Sequence, residues 1–289
     1  MKFGGLVWRS IRSRRSSLLS FAVFVFWSFI AFLPSVFPNQ FEVDVHLPLT
    51  RLPPSFHLSV PSGWMGYDAV GSSILLQIVN GASVSLVVGS ATVLVSMAIG
   101  VPLGAVAGYF GGWVDLLVGR VMDILLAFPP LVLPLAIAVF FGGGFSTVVF
   151  ALCVGGWIGS AKIVRSQFRT LKNSDFVMAA KAAGASPARV MFRHLLPNVA
   201  SPLLVHATFS MAGAILAEAG LSFLGLGLGD GHISWGGLLN DARSYLIESP
   251  HMAIFPALSI LSLVLALNDL GESFRIALDP RQSDLTQGD

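Results

Sequence analysis

Long uncharged stretches alternate with short charged ones along this chain. No Asp, Glu, Lys or Arg lies between Asp68 and Asp115, and none lies between Asp123 and Lys162. Three further uncharged runs cover residues 18–37, 194–217 and 249–268. Because about 20 consecutive apolar residues form a helix that crosses the bilayer core, each run predicts at least one membrane-spanning helix.

The run between Asp123 and Lys162 is too long for a single crossing, and the glycine-rich segment Gly142–Ser146 divides it. The pattern therefore predicts an all-α, polytopic membrane protein. Its six predicted transmembrane helices lie near residues 17–37, 83–108, 115–140, 146–166, 198–221 and 251–271.

The first apolar segment has an alternative interpretation as a cleaved secretory signal, because basic residues precede it. Its apolar part is longer than that of a typical signal, and the sequence FLPSVFP contains no small-residue cleavage pattern. We therefore expect this helix to be retained.

Composition excludes an ordinary soluble domain. The chain is 54% hydrophobic and only 11% charged, whereas about a quarter of the residues in a soluble domain are charged. The single cysteine, Cys153, excludes an internal disulfide, and the six histidines show no metal-ligand spacing. No Gly-Lys pair occurs, so the chain has no phosphate-binding P-loop. We expect no catalytic residue, metal site or cofactor in this chain.

Lysine and arginine residues gather on one side of the predicted topology. They precede the first helix and cluster again between the fourth and fifth helices. Because basic loops stay on the cytoplasmic side, we expect cytoplasmic segments at 1–16 and 272–289, and extracytoplasmic ones at 38–82 and 222–250. A five-helix core then covers residues 83–271. This topology accounts for the net charge of +2, which gives no reason to expect a nucleic-acid partner.

The longest predicted cytoplasmic connection, near residues 174–196, carries signals for two short helices. The N-cap candidates for the first helix are Asn173, Ser174 and Asp175, and Gly184 is a natural stop. Ser186–Pro187 starts a second helix, which we expect to end before Pro197. The alanines keep one face thin, which suits a docking helix that another protein approaches closely. A linker whose positive charges only hold the topology explains the spacing equally well.

The same connection resembles the cytoplasmic "EAA" signature of permease subunits of ATP-binding-cassette (ABC) importers. That signature reads Glu-Ala-Ala, three residues, Gly, nine residues, a hydrophobic residue, any residue and Leu-Pro. It maps here onto Met178, Ala179, Ala180, Gly184, His194, Leu196 and Pro197. The departures at Met178 and His194 resemble the dipeptide and oligopeptide branch of the family.

Further segments are similar to the second, "C"-type, permease subunit of the dipeptide and oligopeptide systems. They are Gly108–Leu133, Ile215–Leu228, SWGGLL at 234–239 and LDPR at 278–281. The segment that begins at Gly66 departs from the family, which normally has Arg-Asp and further arginines there. The residues that stand at those positions here are Ser72, Ser73, Gln77 and Ser83.

This resemblance implies a type I ABC importer permease fold with a short cytoplasmic coupling helix. The chain would form half of a translocation pathway for short peptides, or for nickel or a related small solute, delivered by an extracytoplasmic solute-binding protein. Its implied partners are a second homologous permease, as a heterodimer, and two ATP-binding cassette subunits that bind and hydrolyse ATP. The chain itself would not be an enzyme, and it would lie in the lipid bilayer of a prokaryotic inner membrane.

The resemblance also implies which residues contact the ATPase. They are Asp175, Ala179, Ala180, Lys181, Gly184, Ala185, Arg193, His194, Leu196 and Pro197.

One acid, Glu218, lies near the outer end of the fifth predicted helix, where a charge in lipid is costly and often functional. The alternative is that Glu218 bonds to the backbone of the loop that follows, with its charge near water. We expect this second arrangement.

Three smaller patterns carry predictions about packing. A ridge of small residues predicts close helix contact, which we expect within the chain; its members are Gly100, Gly104, Gly108 and Gly112. Arg120 and Asp123 are spaced to pair on one helical face. Prolines at 129, 130 and 134 predict either a simple kink or freed backbone groups that line a pathway.

Two other function classes remain as alternatives. A secondary transporter driven by an ion gradient is expected to contain several intramembrane charges and a repeated half. A polytopic membrane enzyme needs a nucleophile or metal-binding motif. We find one intramembrane Glu, no convincing repeat and no such motif.

Overall fold

The computed structural model describes residues 15–55, 63–229 and 231–278. Apart from one isolated β-bridge between Tyr67 and Ser73, these residues contain helices, turns and irregular segments but no strand. The all-α fold class is confirmed. The basic residues before Arg15 and residues 279–281 of the LDPR motif lie outside the described residues.

The helices of the described residues are numbered here in chain order. They are α1 Arg15–Val36, α2 Ile74–Phe110, α3 Gly112–Leu126, α4 Val132–Phe141, α5 Phe145–Leu171, α6 Asp175–Ala182, α7 Pro187–Phe223, α8 Trp235–Ala242 and α9 His251–Ala277. In this part of the chain α1, α2, α5, α7 and α9 are long and apolar enough to cross a membrane, and α4 is a shorter apolar helix.

The prediction of one continuous third span near 115–140 is wrong. Helix α3 ends at Leu126, and α4 begins only at Val132. Pro129 and Pro130 lie between them. Neither has a backbone N–H to donate, and a proline ring clashes with the preceding turn of a helix. The apolar run therefore contains two half-length helices.

The second span begins nine residues earlier than predicted, at Ile74 instead of 83. The hydroxyl of Ser73 caps this helix by accepting a hydrogen bond from the backbone N–H of Leu76. At 1.5 Å per residue, the 37-residue helix α2 is about 55 Å long, well beyond the roughly 30 Å bilayer core. Residues 74–82, predicted as loop, are therefore the first turns of this helix.

Helices α2 and α5 pack through the predicted glycine ridge. A Cβ atom added to Gly104 would lie 2.9 Å from Cα of Ala161, and one added to Gly108 would lie 2.6 Å from the carbonyl oxygen of Arg165. A Cβ on Gly100 would likewise meet the α5 backbone, whereas one on Gly112 would meet nothing within 4 Å. The ridge packs within the chain, as predicted, except at its last member.

Gly104→Ala is expected to destabilise the protein, because the added methyl group forces α2 away from the α5 backbone. Overpacking of this kind costs about 1–3 kcal/mol. Heating the detergent-purified, fluorescently tagged protein and measuring the surviving peak by size exclusion gives the apparent Tm. Gly220→Ala on α7, where an added Cβ meets nothing within 4 Å, is the matched control. Equal loss of Tm in both variants would contradict this packing.

The end of the bundle near α8 is closed by a buried tryptophan. Trp235 is fully buried, and its indole N–H donates to the carbonyl of Ile78 on α2 at 3.0 Å. Its ring lies edge-on to Trp27 of α1 with 4.8 Å between centroids. The backbone at 224–229 and 231–234 is not helical, as the glycine-rich run at 224–229 predicts. Helix α8 is thereby held against α1, α2 and α7.

Candidate functional site

The connection between α5 and α7 begins with the short helix α6, which ends in a well-formed C-terminal cap. The N–H of Ala185 donates to the carbonyl of Ala180 at 3.0 Å, and the N–H of Gly184 donates to that of Lys181 at 2.9 Å. This pair of bonds is the Schellman motif, and it needs a residue with positive φ. Gly184 supplies it with φ of +81°, so the predicted stop signal is confirmed.

The second helix starts as predicted but does not end as predicted. Ser186 caps it by accepting from the N–H of Arg189. The helix then continues through Pro197 as α7, and its turns at Val190–Leu195 are widened to a π-helix in which Leu196 N–H donates to Met191. The wider turn accommodates a proline that an α-helical register would reject. The second half of the connection is therefore a rigid extension of a membrane span.

The side of this connection that faces the helix bundle is a packed core. Val177 of α6 and Val190 and Leu195 of α7 are completely buried, and they pack with Phe168 of α5. Ala105 of α2 belongs to the same cluster. Such burial is not expected of a loose linker, and it fixes α6 to the ends of three long helices.

The side of the connection that faces away from the helix bundle is exposed and partly apolar. We call it the α6–α7 surface. Its members are Asp175, Phe176, Met178, Ala179, Lys181, Ala182, Pro187, Ala188, Phe192 and Arg193. Met178 and Phe192 are 53% and 60% exposed. Phe176, 42% exposed, is a third large apolar side chain on this surface.

The residues predicted to contact an ATPase lie on or next to this surface. The exposed ones are Asp175, Ala179, Lys181, Gly184, Arg193 and Pro197, and the half-buried ones are Ala180, Ala185, His194 and Leu196. Lys181 also holds the helix in place, because its ammonium group lies 5.5 Å from the ring centroid of Tyr109 on α2. That cation–π contact joins α6 to the end of α2.

A nearby ion pair was missed by sequence reasoning. Arg165 of α5 donates from Nε and Nη2 to both oxygens of Asp115 on α3, with Nη2 to Oδ2 at 2.9 Å. Arg169 lies 3.6 Å from the same carboxylate. The predicted pair of Arg120 with Asp123 is not among the ion pairs of the described residues. Spacing along one helix finds only local pairs, whereas Asp115 and Arg165 are 50 residues apart.

Arg165→Met is expected to loosen α3 from α5 and to lower stability by about 1.5–3 kcal/mol, the range for hydrogen bonds to charged groups. The Asp115 side chain is 12% exposed and that of Arg165 is 25% exposed, so water replaces the lost contact poorly. Arg275→Met is the control, since the Arg275–Glu272 pair is exposed and is expected to contribute under about 1 kcal/mol. Thermal unfolding checks this difference, and a larger effect at Arg275 would contradict it.

The segment that begins at Gly66 and departs from the resembled family still forms a polar network. The carboxylate of Asp68 accepts from the backbone N–H groups of Val70 and Ser72 at 2.9 and 2.8 Å. It also accepts from the side-chain amide of Gln77 at 2.6 Å. A neutral amide therefore binds Asp68 in a segment where the family normally has arginine.

The prediction that Glu218 keeps its charge near water is wrong. Glu218 is completely buried on α7, where Oε1 accepts from the hydroxyl of Ser222, one turn further along, at 2.6 Å. The side chains of Ser85 on α2 and of Ser234 lie beside the same carboxyl group. Helix α8 covers this region tightly, because a Cβ on Gly236 would lie 2.5 Å from Cα of Ala219. Packing, which spacing cannot show, encloses the acid.

Comparisons with known proteins agree with this architecture. The family described as "Binding-protein-dependent transport system inner membrane component" matches residues 100–284. The glutathione transport system permease protein GsiD of Pectobacterium atrosepticum is 39% identical over 243 residues, which are 84% of this chain and 78% of that protein. The dipeptide transport system permease protein DppC of Alkalihalophilus pseudofirmus is 40% identical over 230 residues, which are 79% and 76%.

A solved structure has the same fold. It is an inward-facing conformation of the MetNI methionine ABC transporter, which superposes with a TM-score of 0.59 over 71% of this chain and 98% of that chain. The two sequences are 18% identical, so the likeness concerns the fold alone. The predicted ABC importer permease fold is thus confirmed.

Proposed function

Because this chain belongs to the family of inner membrane components of binding-protein-dependent transport systems, we propose that its α6–α7 surface is the contact through which an ATPase moves the membrane helices. The chain is a transmembrane permease subunit of an ATP-driven ABC importer, a family whose permeases are not themselves enzymes. It works in a membrane with ATPase and solute-binding partners. The ion-gradient-driven alternative has no support from this membership.

One observation carries the proposal: an exposed, partly apolar surface stands on a rigid base that continues into a membrane span. Met178 and Phe192 are exposed to water on that surface, and covering them removes apolar area from water. Directly beneath, Val177 and Leu195 are completely buried. A partner that pushes this surface therefore moves the base with it.

The mechanical connection runs through α7. Residues 187–223 form one helix without a break, so a displacement at its first turns reaches the middle of the bundle as a rigid-body movement. Closure of an ATPase pair would bias the bundle between inward-facing and outward-facing arrangements.

Charge supports a cytoplasmic position for this end of the bundle. Basic residues line the end of α5, α6 and the start of α7, namely Lys162, Arg165, Arg169, Lys172, Lys181, Arg189 and Arg193. By the positive-inside rule, both termini are then cytoplasmic and α8 lies on the outer side. This orientation brings the α6–α7 surface to the side where ATP is available.

The relatives support short peptides, glutathione included, as substrates, since their names record glutathione and dipeptide transport. A solute-binding protein would deliver the substrate, and a second, related permease would complete a heterodimer. ATP would be bound by two ATPase subunits and not by this chain.

Purification of the tagged chain from native membranes in mild detergent, followed by mass spectrometry, tests this assembly. We expect ATPase subunits with P-loops and a second multi-span permease to co-purify. Recovery of the chain alone, or only with further copies of itself, would contradict the proposed partners.

A further inference from the structure

Four buried polar side chains meet where α2, α7 and α8 come together. They are Glu218 and Ser222 of α7, Ser85 of α2 and Ser234, the residue that caps α8. None of them is more than 4% exposed. Ser222 donates to the carboxyl group at 2.6 Å, and the side chains of Ser85 and Ser234 lie beside it. We call these four residues the Glu218 cluster.

The Glu218 cluster constrains how the three helices pack. A buried carboxyl group is costly unless hydrogen bonds satisfy it, and the hydroxyl groups around this one come from α2, α7 and the start of α8. An apolar side chain packs in many arrangements, whereas a buried hydrogen-bonded network favours one. A shift of α8 against α7 would therefore break hydrogen bonds at a side chain that is closed to water.

Ser234 connects the carboxyl group to the backbone of α8. Its hydroxyl oxygen accepts from the N–H of Gly237 at 3.2 Å and so caps the helix. A hydroxyl group has one proton as well as acceptor lone pairs, so the same group can donate to Glu218. The backbones are also close, because a Cβ on Gly236 would lie 2.5 Å from the carbonyl oxygen of Ala219. The first turn of α8 is thereby fixed to the last turns of α7.

Helix α7 connects this cluster to the α6–α7 surface. Residues 187–223 form one helix, and at 1.5 Å per residue Glu218 lies about 46 Å from Pro187 along it. This length exceeds the roughly 30 Å thickness of the bilayer core. The Glu218 cluster and the α6–α7 surface therefore lie at opposite ends of the bundle.

Helix α8 leads in turn to an exposed connection at 243–250. Ile247 is 97% exposed there, and Glu248 pairs with Arg51 of the segment before α2 at 2.6 Å. The guanidinium group of Arg51 also lies 5.4 Å from the ring centroid of Tyr245, a cation–π contact. A partner that binds this end of the bundle therefore acts on α8 and, through the Glu218 cluster, on α7.

We propose that Glu218 is a positioning residue of the transport cycle. With Ser85 and Ser234 it makes α7 and α8 move as one unit, so that docking of the solute-binding protein at the end of the bundle opposite α6 reaches the ATPase contact. This inference rests on the proposed function. It assigns Glu218 no contact with the substrate.

The test uses the complete importer in proteoliposomes and compares ATP hydrolysis with and without its solute-binding protein, in the presence of alanyl-alanine or glutathione. Ser234→Gly removes the hydroxyl but still allows α8 to begin, because glycine is tolerated at an N-cap. We expect the ratio of stimulated to basal hydrolysis to fall at least threefold. Ser234→Thr keeps a hydroxyl at this position and is expected to retain the wild-type ratio.

Ser85→Ala removes a hydroxyl of the cluster from α2 and should lower the same ratio. The matched control is Ser259→Ala on α9, which is expected to keep it. Ser259 is 5% exposed, and its hydroxyl donates to the carbonyl of Phe255 in its own helix at 2.9 Å. A purely structural role for the cluster predicts lower thermal stability in Ser85→Ala with an unchanged ratio.

The possible outcomes separate this inference from the proposed function. Wild-type importer whose ATP hydrolysis does not respond to the solute-binding protein would overturn the proposed partners and this inference with them. A wild type that responds, together with unchanged ratios in Ser234→Gly and Ser85→Ala, would overturn the role of the Glu218 cluster alone. An equal fall of the ratio in Ser234→Thr or Ser259→Ala would also contradict that role.

Discussion

Ala179→Arg is expected to reduce transport and substrate-stimulated ATP hydrolysis by tenfold or more, while the chain stays folded in the membrane. Ala179 is exposed on α6, where a long charged side chain keeps an ATPase surface from approaching. A central residue of an interface commonly contributes 2 kcal/mol or more, and each 1.4 kcal/mol is a factor of ten in affinity. Uptake and ATPase activity in proteoliposomes measure the loss.

The control for this variant is Asn39→Arg, which adds the same side chain at an exposed position far from α6. It is expected to transport normally. Co-purification adds a second readout, because Ala179→Arg should lose the ATPase while retaining the partner permease. Full activity in Ala179→Arg, or equal loss in both variants, would contradict an ATPase contact at this surface.

Gly184 belongs to the EAA signature, but it is a less informative position than Ala179 for testing the ATPase contact. Nothing lies within 4 Å of a Cβ added there, and its φ is +81°. A side chain at Gly184 therefore strains the Schellman turn before it obstructs any partner. Loss of transport in a Gly184 variant would not distinguish a deformed α6 from a blocked ATPase contact. An Ala179 variant does distinguish the two.

Substitutions at Glu218 should show whether the protein depends on the hydrogen bond of this side chain or on its charge. Glu218 is completely buried and has no ion pair within the described residues. A buried carboxylate without a cation is very costly, so removing the charge should cost little stability. Glu218→Gln keeps an acceptor for the Ser222 hydroxyl and a donor beside it, and it should retain near-normal stability and transport.

The opposite result is expected for Glu218→Ala and Glu218→Lys. Alanine leaves the Ser222 hydroxyl unpaired, at about 1–3 kcal/mol, and opens a cavity between α7 and its neighbours. Lysine introduces a buried unpaired ammonium group and should prevent folding. Size exclusion after heating ranks the variants in the order wild type, Gln, Ala, Lys. A Gln variant as unstable as the Ala variant would show that the charge of Glu218 is required.

Local signals and apolar runs account for much of what the sequence predicts correctly. Ser186 and Gly184 act on their own turns, so their capping roles could be predicted without the fold. The uncharged runs locate the spans, because any charge in lipid is costly. They do not show where a helix leaves the membrane, which is why the start of α2 at Ile74 was missed.

The remaining features depend on contacts between distant segments. Asp115 meets Arg165 only because α3 folds back against α5, and no spacing rule relates the two. Glu218 is enclosed because α8 packs on α7. Pro197 would end an isolated α-helix, but here the buried residues around Leu195 favour a continuous helix with wider turns. Tertiary packing overrides local preference at these positions.

Photo-crosslinking from α6 in the assembled importer tests the ATPase contact most directly. Met178→Cys, made with Cys153→Ala so that it is the single thiol of this chain, is labelled with a benzophenone maleimide and irradiated in the presence and absence of ATP. We predict a crosslink to the ATPase subunit, with a yield that changes on ATP binding, and none from Asn39→Cys treated in the same way. Crosslinks from Met178→Cys to the permeases or to lipid alone would contradict the proposal that α6 receives the force of ATP hydrolysis.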